Sequence, residues 1–413
     1  MTATSDRVRV TPSVTSDTRR HVTLVVVLGL LTALGPITID LYLPALPAIT
    51  DELRTTEPAV QLTLTGMLIG LSAGQLVVGP LSDVLGRRRP LLAGIGVHIV
   101  ASLLCTVATG VVMLGTLRVL QGVGAAAAAV IALAVVRDRF TGHTAAAVLS
   151  RLILVVGVSP VLAPTVGAEL LRFTDWRGLF LALAIIGAAI ALVAGLALPE
   201  TLPPERRRTG GLRTTAADYR GLLRDRAFVG LVLVTGLSMA ALFAYVAGSS
   251  FVLQEQFGLT AQQFGLVFAI NAVALIGVPQ LNVVLLRRFS PTRILHAALL
   301  AGALFAVVLL IFTLTGTGGL LGVLIPLFLI LCAVGFRGPN ATALALTRHG
   351  EAAGTAASLL GAAQFGIGGL AAPLVGLLGN NAVAMAAVIT GASIAALVVL
   401  QILVRPGPAV TAR

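Results

Sequence analysis

LSDVLGRR at residues 81–88 returns as LNVVLLRR at residues 281–288, aligned without a gap 200 positions later. Each copy closes an apolar stretch, 61–82 in one case and 263–286 in the other, and each ends on two arginines. Working outward from the pair, apolar windows fall at about 22–47, 61–82, 90–109, 112–136, 147–171, 178–198, 228–252, 263–286, 294–314, 319–343, 354–378 and 382–404. Each is long enough for a membrane span, which needs ~20 mostly apolar residues. The longest polar gap, 199–226, splits the twelve windows six and six, so each octamer follows the second span of its half. Any short loop on the arginine-rich side of a membrane collects arginines. Here position, topology and half-length spacing also agree. The pattern is that of parallel repeats about an axis along the membrane normal, with substrate held between the halves near the midplane. Val283 stands where Asp83 does, so the halves are not chemically equivalent.

The bulk numbers agree. The 413 residues are 57% apolar and 11% charged, with a mean hydropathy of +1.02. A soluble globular chain is roughly a quarter charged, so this one cannot cover its own surface with polar groups. The expected fold is all-α and integral to the membrane: twelve transmembrane helices in two pseudo-symmetric six-helix bundles, 22–198 and 227–404. A tail 1–21, a linker 199–226 and a tail 405–413 complete the chain. The N-terminal stretch lacks a short apolar core before a small-residue cleavage site and reads as a cytoplasmic tail rather than a signal peptide.

All 28 basic residues are arginine. With the N-terminus inside and the spans alternating, only Arg54, Arg172 and Arg177 fall on the outer side, against clusters such as Arg87–Arg89 and Arg206–Arg208 inside. The positive-inside rule therefore places both termini in the cytoplasm, and the expected location is the cell inner (cytoplasmic) membrane. The net charge of +12 is a topology signal that also suits anionic lipid. No aromatic-interleaved basic patch suggests nucleic acid. Cys105 and Cys332 each lie inside an apolar segment and form neither a disulfide framework nor a metal-ligand spacing. No nucleophile triad, paired catalytic carboxylates or phosphate-cradling loop is present. An enzyme and an ATP-driven pump are both disfavoured. No cofactor or metal is expected.

The first window carries GPITIDLYLPALP, residues 35–47. Pro36, Pro44 and Pro47 cannot donate to the carbonyls of Thr32, Asp40 and Leu43. Free acceptors at membrane depth survive only where protein or water meets them. The stretch thus reads as an opened helix aiming bare carbonyls and the Asp40 carboxylate into a wet cavity between the halves. Asp40 is ~27 Å of helix from Val22, and Arg118 is ~9 Å in from the outer end of the fourth window. The two could share that cavity. A buried ionisable group in a span is costly and usually functional. Asp40 is the expected proton carrier, with Arg118 as its modulator. The alternatives are a structural carboxylate paired with Arg118 or capping the broken helix. Candidate substrate contacts are Tyr42, Gln121, Tyr245, Asn271, Asn340 and Gln364, weighed against the common role of such residues as interhelical glue. Trp176, at the outer end of the sixth window, is expected to anchor at the membrane interface. Glu169 and Asp138 read as ion pairs near span ends, and His98 as an isolated span residue.

GPLSDVLGRRRPLL (79–92) resembles the loop signature of the major facilitator superfamily. The resemblance implies a latch of Gly79, Asp83, Gly86, Arg87 and Arg88, made in one conformation and broken in another. LRVLQGVGAAAAA (117–129) is similar to the family's fourth-span motif. GVSPVLAPTVGAEL (157–170) resembles the fifth-span motif of its antiporter branch, with Gly157, Pro160, Pro164 and Gly167 bending the span; Ala163 and Ala168 stand where the pattern prefers glycine. TIDLYLPALPAI (38–49), GFRGPNATALAL (335–346) and GTAASLLGAAQFGIGGLAAPLVGLL (354–378) look like the bicyclomycin/chloramphenicol-resistance (Bcr/CflA) branch of the drug:proton antiporters. This resemblance implies a proton-coupled efflux transporter, driven by the proton gradient, that exports small amphipathic drugs by alternating access as a monomer. The alternative is an exporter or symporter of an endogenous metabolite on the same fold. A second acid one or two turns earlier in span one, found in multidrug relatives of the branch, is absent: Thr32, Ala33 and Leu34 occupy that region.

Overall fold

A computed structural model describes residues 14–207, 219–348 and 353–404. The start of the expected N-terminal tail (1–13), the middle of the linker (208–218) and the C-terminal tail (405–413) lie outside the described residues, as do 349–352. Among the described residues, twelve helices are long and apolar enough to cross a membrane. They are α1 (Val14–Asp40), α2 (Glu57–Leu85), α3 (Arg88–Cys105), α4 (Val111–Arg139), α5 (Gly142–Leu170), α6 (Trp176–Ala197), α7 (Arg226–Phe251), α8 (Ala261–Leu285), α9 (Pro291–Thr315), α10 (Gly319–Arg348), α11 (Ala353–Leu377) and α12 (Ala382–Leu403). No strand occurs among the described residues. In hydrocarbon each backbone group must find its partner within the segment, and a helix does this locally.

Several helix starts are written in the sequence. Asp175 accepts from the backbone of Arg177 and Gly178 at the head of α6. Thr260 and Gln263 form a reciprocal capping box on α8, and Ser290 caps α9 ahead of Pro291. Each cap satisfies backbone donors that would otherwise have no acceptor.

In the first six helices α2 packs on α4, α3 on α4 and α6, and α1 on α5. In the last six α7 packs on α11 and α12, and α9 on α10 and α12. Small residues set the closest approach. A Cβ on Gly122 of α4 would lie 2.1 Å from the Met67 carbonyl oxygen of α2, so the two backbones touch directly. The two sets meet along α2 with α11 and α5 with α8. Thr65 donates to the Gly369 carbonyl at 2.8 Å and Ser72 to that of Ala362 at 2.8 Å. Thr165 and Gln262 bridge α5 and α8 through the Gly265 and Ala168 carbonyls, at 3.3 and 3.1 Å.

The molecule has a basic end, with Arg87–Arg89, Arg137, Arg139, Arg224 and Arg287–Arg288. The opposite, acid end carries Asp51, Glu52, Glu57, Glu169 and Glu255.

The first span differs from one continuous helix. Pro36 is accommodated inside α1, and regular helix stops at Asp40. The chain then turns through a 3-10 segment, Leu43–Ala45, into a short helix, Leu46–Glu52. Pro47 cannot donate to the Leu43 carbonyl, which accepts instead from the Leu46 N–H of the 3-10 turn and from Ser250 of α7, while Gln254 donates to the Pro44 carbonyl at 3.3 Å. At this break the second half grips the main chain of the first.

Candidate functional site

The break places Asp40 at the junction of the halves. The residue is 5% exposed, and among the described residues its carboxylate has neither an ion-pair partner nor a hydrogen bond. The ion pairs that do form are Asp83–Arg87, Asp138–Arg87, Glu169–Arg172 and Glu52–Arg177. Tyr245 of α7 lies within electrostatic reach of Asp40. Its hydroxyl accepts from Asn271 Nδ2 of α8 at 3.2 Å, and its ring stacks on Phe268 at 5.2 Å. Within reach of the first half's carboxylate, the second half thus supplies a phenol–amide pair and a stacked aromatic ring.

Arg118 has a different partner from the one its depth suggested. It is fully buried, and Nη1 donates to the Thr38 carbonyl at 3.0 Å and to Gln121 Oε1 at 2.9 Å. The guanidinium lies 4.1 Å from the Tyr42 ring centroid and 5.7 Å from that of Phe180. A cation over an aromatic face regains part of the solvation it loses on burial. Arg118 thus braces the last turn of α1 by its main chain, one turn before the break, without pairing with Asp40. Gln121 passes the connection on, donating to Ser102 at 2.7 Å. Thr38 donates to the Leu34 carbonyl at 2.6 Å and also contacts His98 Nε2 at 2.9 Å. A hydroxyl has one proton, already committed to Leu34, so Nε2 carries the His98 proton in this arrangement. Tyr42 is buried, and its hydroxyl reaches Thr63 at 3.4 Å. Tyr42 and Gln121 are thus structural members of the brace. Sequence reading set His98 aside because its partners come from another helix.

The remaining polar candidates separate. Asn340 of α10 donates to Asn282 of α8 and to the Phe336 carbonyl, both at 2.8 Å. Its amide nitrogen is engaged in a clamp toward the basic end, apart from the Asp40 group. Gln364 of α11 is half-buried and makes no hydrogen bond among the described residues. Arg337 of α10, which the sequence reading passed over, is fully buried, and its Nε donates to the Ala298 carbonyl at 3.3 Å.

On the fifth helix, α5 runs through Pro160 and Pro164 without interruption. A Cβ on Gly157 would meet Ile276 of α8 at 3.0 Å, and one on Gly167 would lie 2.0 Å from the Leu41 carbonyl oxygen. Gly167 therefore seats α5 directly on the backbone that follows Asp40.

At the basic end, Arg87 gathers the residues expected to form the latch. Its guanidinium bonds Asp83 at 2.6 Å, Asp138 at 2.9 Å and Ser82 at 2.7 Å. Gly86 turns the chain at φ 89, a conformation that favours glycine. Glu200, beyond α6, accepts from the backbone of Arg87 at 2.8 Å and of Arg88 at 3.2 Å, and the Arg88 side chain reaches the Gly195 carbonyl at 2.5 Å. Burial would lower the Arg87 pKa; the Asp138 and Asp83 carboxylates outweigh it and hold it above the ordinary arginine value. Burial would likewise raise that of Glu200, but the N–H groups of Arg87, Leu202, Arg88 and Thr201 win and hold it below the usual carboxylate value. A cavity of about 350 Å³ joins Gly79, Asp83 and Arg87 to Tyr219 and to Gly354 and Ser358 in the first turns of α11. The latch thus faces the other half. Asp138 belongs to it, and so does Glu200, which no local motif marked.

Trp176 corrects an expectation. It is 1% exposed, donates to Glu52 at 2.7 Å and meets Phe180 edge-on at 6.0 Å. It packs inside the first half, held by Glu52 at the end of the short helix that follows the break, and does not face lipid.

The arrangement has known counterparts. The Bacillus subtilis protein named uncharacterized MFS-type transporter YdgK is 36% identical over 376 residues, 90% of this chain and 92% of its own. The bicyclomycin resistance protein homolog of Haemophilus influenzae is 31% identical over 85% of this chain and 88% of its own. The multidrug resistance protein MdtL of Citrobacter koseri is 30% identical over 86% and 89%. Among solved structures, the crystal structure of a D-xylose-proton symporter shares the fold with a TM-score of 0.70 at 19% identity, covering 92% of this chain and 97% of that one. The sequence profile of the Major Facilitator Superfamily matches residues 28–373. With twelve spans, a charged cluster between the second and third, and two helix sets meeting at a break in the first, the chain belongs to that superfamily of membrane transporters.

Proposed function

We propose that this transporter exports small amphipathic compounds, bicyclomycin-like or chloramphenicol-like antibiotics among them, across the cytoplasmic membrane in exchange for protons. One observation carries the reading: Asp40 is buried and unpaired at the junction of the halves. A lone carboxylate there is costly when ionised, so its protonation state is coupled to whatever wets or dries the junction. Protons entering from the acid end neutralise Asp40, and opening toward the basic end returns the proton to the cytoplasm. The names of relatives at 31% and 30% identity, bicyclomycin resistance and multidrug resistance, support drug export. The arginine asymmetry supports placing the basic end in the cytoplasm. Tyr245, Phe268, Asn271 and the free amide of Gln364 offer a substrate aromatic surface and a few polar anchors, the usual makeup of a small-molecule site. The single chain supplies both sides of the junction, which supports function as a monomer.

The test is a susceptibility panel in an efflux-deficient host, with chloramphenicol, bicyclomycin and lipophilic cations, paired with uptake into everted vesicles with and without a collapsed proton gradient. Wild type raises tolerance and accumulates drug only with the gradient. Asp40→Asn reaches the membrane at normal abundance and loses the gradient-driven component. Full gradient-driven efflux by that variant refutes the mechanism.

A further inference from the structure

A groove of about 540 Å³ opens between α8, α9 and α10 on the second half, away from the junction. Phe289, Ala301, Phe305, Cys332 and Phe336 are among its lining, and Arg293 is the only charged residue there. Along α9 the groove extends from Arg293 to Phe305, or ~18 Å at ~1.5 Å per residue. That is close to one leaflet, half of a ~30 Å hydrocarbon core. Arg293 stands at its basic-end mouth. Arg287 and Arg288 sit in the turn between α8 and α9, exposed and with no acidic partner among the described residues. The three helices that form the groove carry no acid: no Asp or Glu occurs between Glu255 and Glu351, a stretch that contains α8, α9 and α10.

We propose that this groove is a binding site for an anionic phospholipid of the leaflet at the basic end. One acyl chain lies along the α9 face, and the phosphate meets Arg287, Arg288 and Arg293. An apolar trough one leaflet deep accepts a chain of any lipid. Three unpaired arginines at its mouth select the anionic headgroup, since a basic residue near an anionic surface is worth about fivefold in affinity.

Native mass spectrometry of the delipidated full chain in detergent tests this, using phosphatidylglycerol and phosphatidylcholine with the same acyl chains. Wild type retains phosphatidylglycerol at least about tenfold more strongly, partial engagement of three such contacts being enough. R287Q/R288Q/R293Q binds the two lipids alike. Ala301→Trp fills the trough and weakens both. A variant-free readout comes from the two cysteines. Cys105 is buried and Cys332 lines the groove, so phosphatidylglycerol slows thiol labelling at Cys332 several-fold. Equal retention of the two lipids by wild type overturns the proposal. So does labelling at Cys332 that phosphatidylglycerol leaves unchanged, or that an exported drug blocks when the lipid does not.

Discussion

Substituting Gly167 by alanine tests the seating of α5 on the break. The added Cβ would lie 2.0 Å from the Leu41 carbonyl oxygen, whereas ordinary contact begins at 3.4 Å. The backbones must part by the difference, 3.4 − 2.0 = 1.4 Å. Neither partner is a flexible side chain tip, so the strain falls on the main chain next to Asp40. Overpacking of this kind costs about 1–3 kcal/mol. It is offset by the ~0.5–1 kcal/mol that alanine gains over glycine in a helix interior. Gly96 of α3 supplies the control, because a Cβ there meets nothing within 4 Å. Gly96→Ala keeps the helix gain with no clash. Purified in the same detergent, Gly96→Ala should melt at or above the wild-type temperature and Gly167→Ala below it, with Gly167→Ala alone losing efflux. Equal melting and equal efflux of the two variants would refute a direct backbone contact between α5 and the break.

Two further outcomes are expected. Glu200 is held below its ordinary pKa of 4.5 by backbone donors, so it contributes stability that is full above that value and is lost as pH falls through the folded value. The melting difference between wild type and Glu200→Gln should therefore be constant near pH 7 and vanish in acid; a difference that grows on acidification contradicts it. The single Trp176 is buried against Phe180 and Glu52, so its fluorescence in bilayers should resist quenching by brominated lipids, and strong quenching would return it to the membrane interface.

The helices were open to sequence reading because hydrocarbon forces the backbone into them, and the windows underestimate α2 and α10 only where these run on into polar ends. The three prolines announced the break, since a missing N–H is a local fact. Where regular helix would end was not local: Pro36 is absorbed within α1, and Asp40 became its last residue. The depth of Arg118 was legible, and its bond to Gln121 follows from helical spacing. Its hold on the Thr38 carbonyl depends on how α1 lies against α4. The same limit hid Glu200, His98 and Arg337, whose partners stand on other elements far along the chain. It also misplaced Trp176, whose partner Glu52 stands on the short helix after the break, 124 positions away.

The grip of Ser250 and Gln254 on Leu43 and Pro44 has a consequence for control. Both acceptors are main-chain oxygens and both donors are neutral, so this part of the closure neither titrates nor depends on which side chains occupy residues 43 and 44. The halves can part there by exchanging uncharged bonds with water or substrate. Asp40 is then the only carboxyl between Ile37 and Leu46, and sensing the proton and holding the door shut are assigned to different atoms of one short stretch.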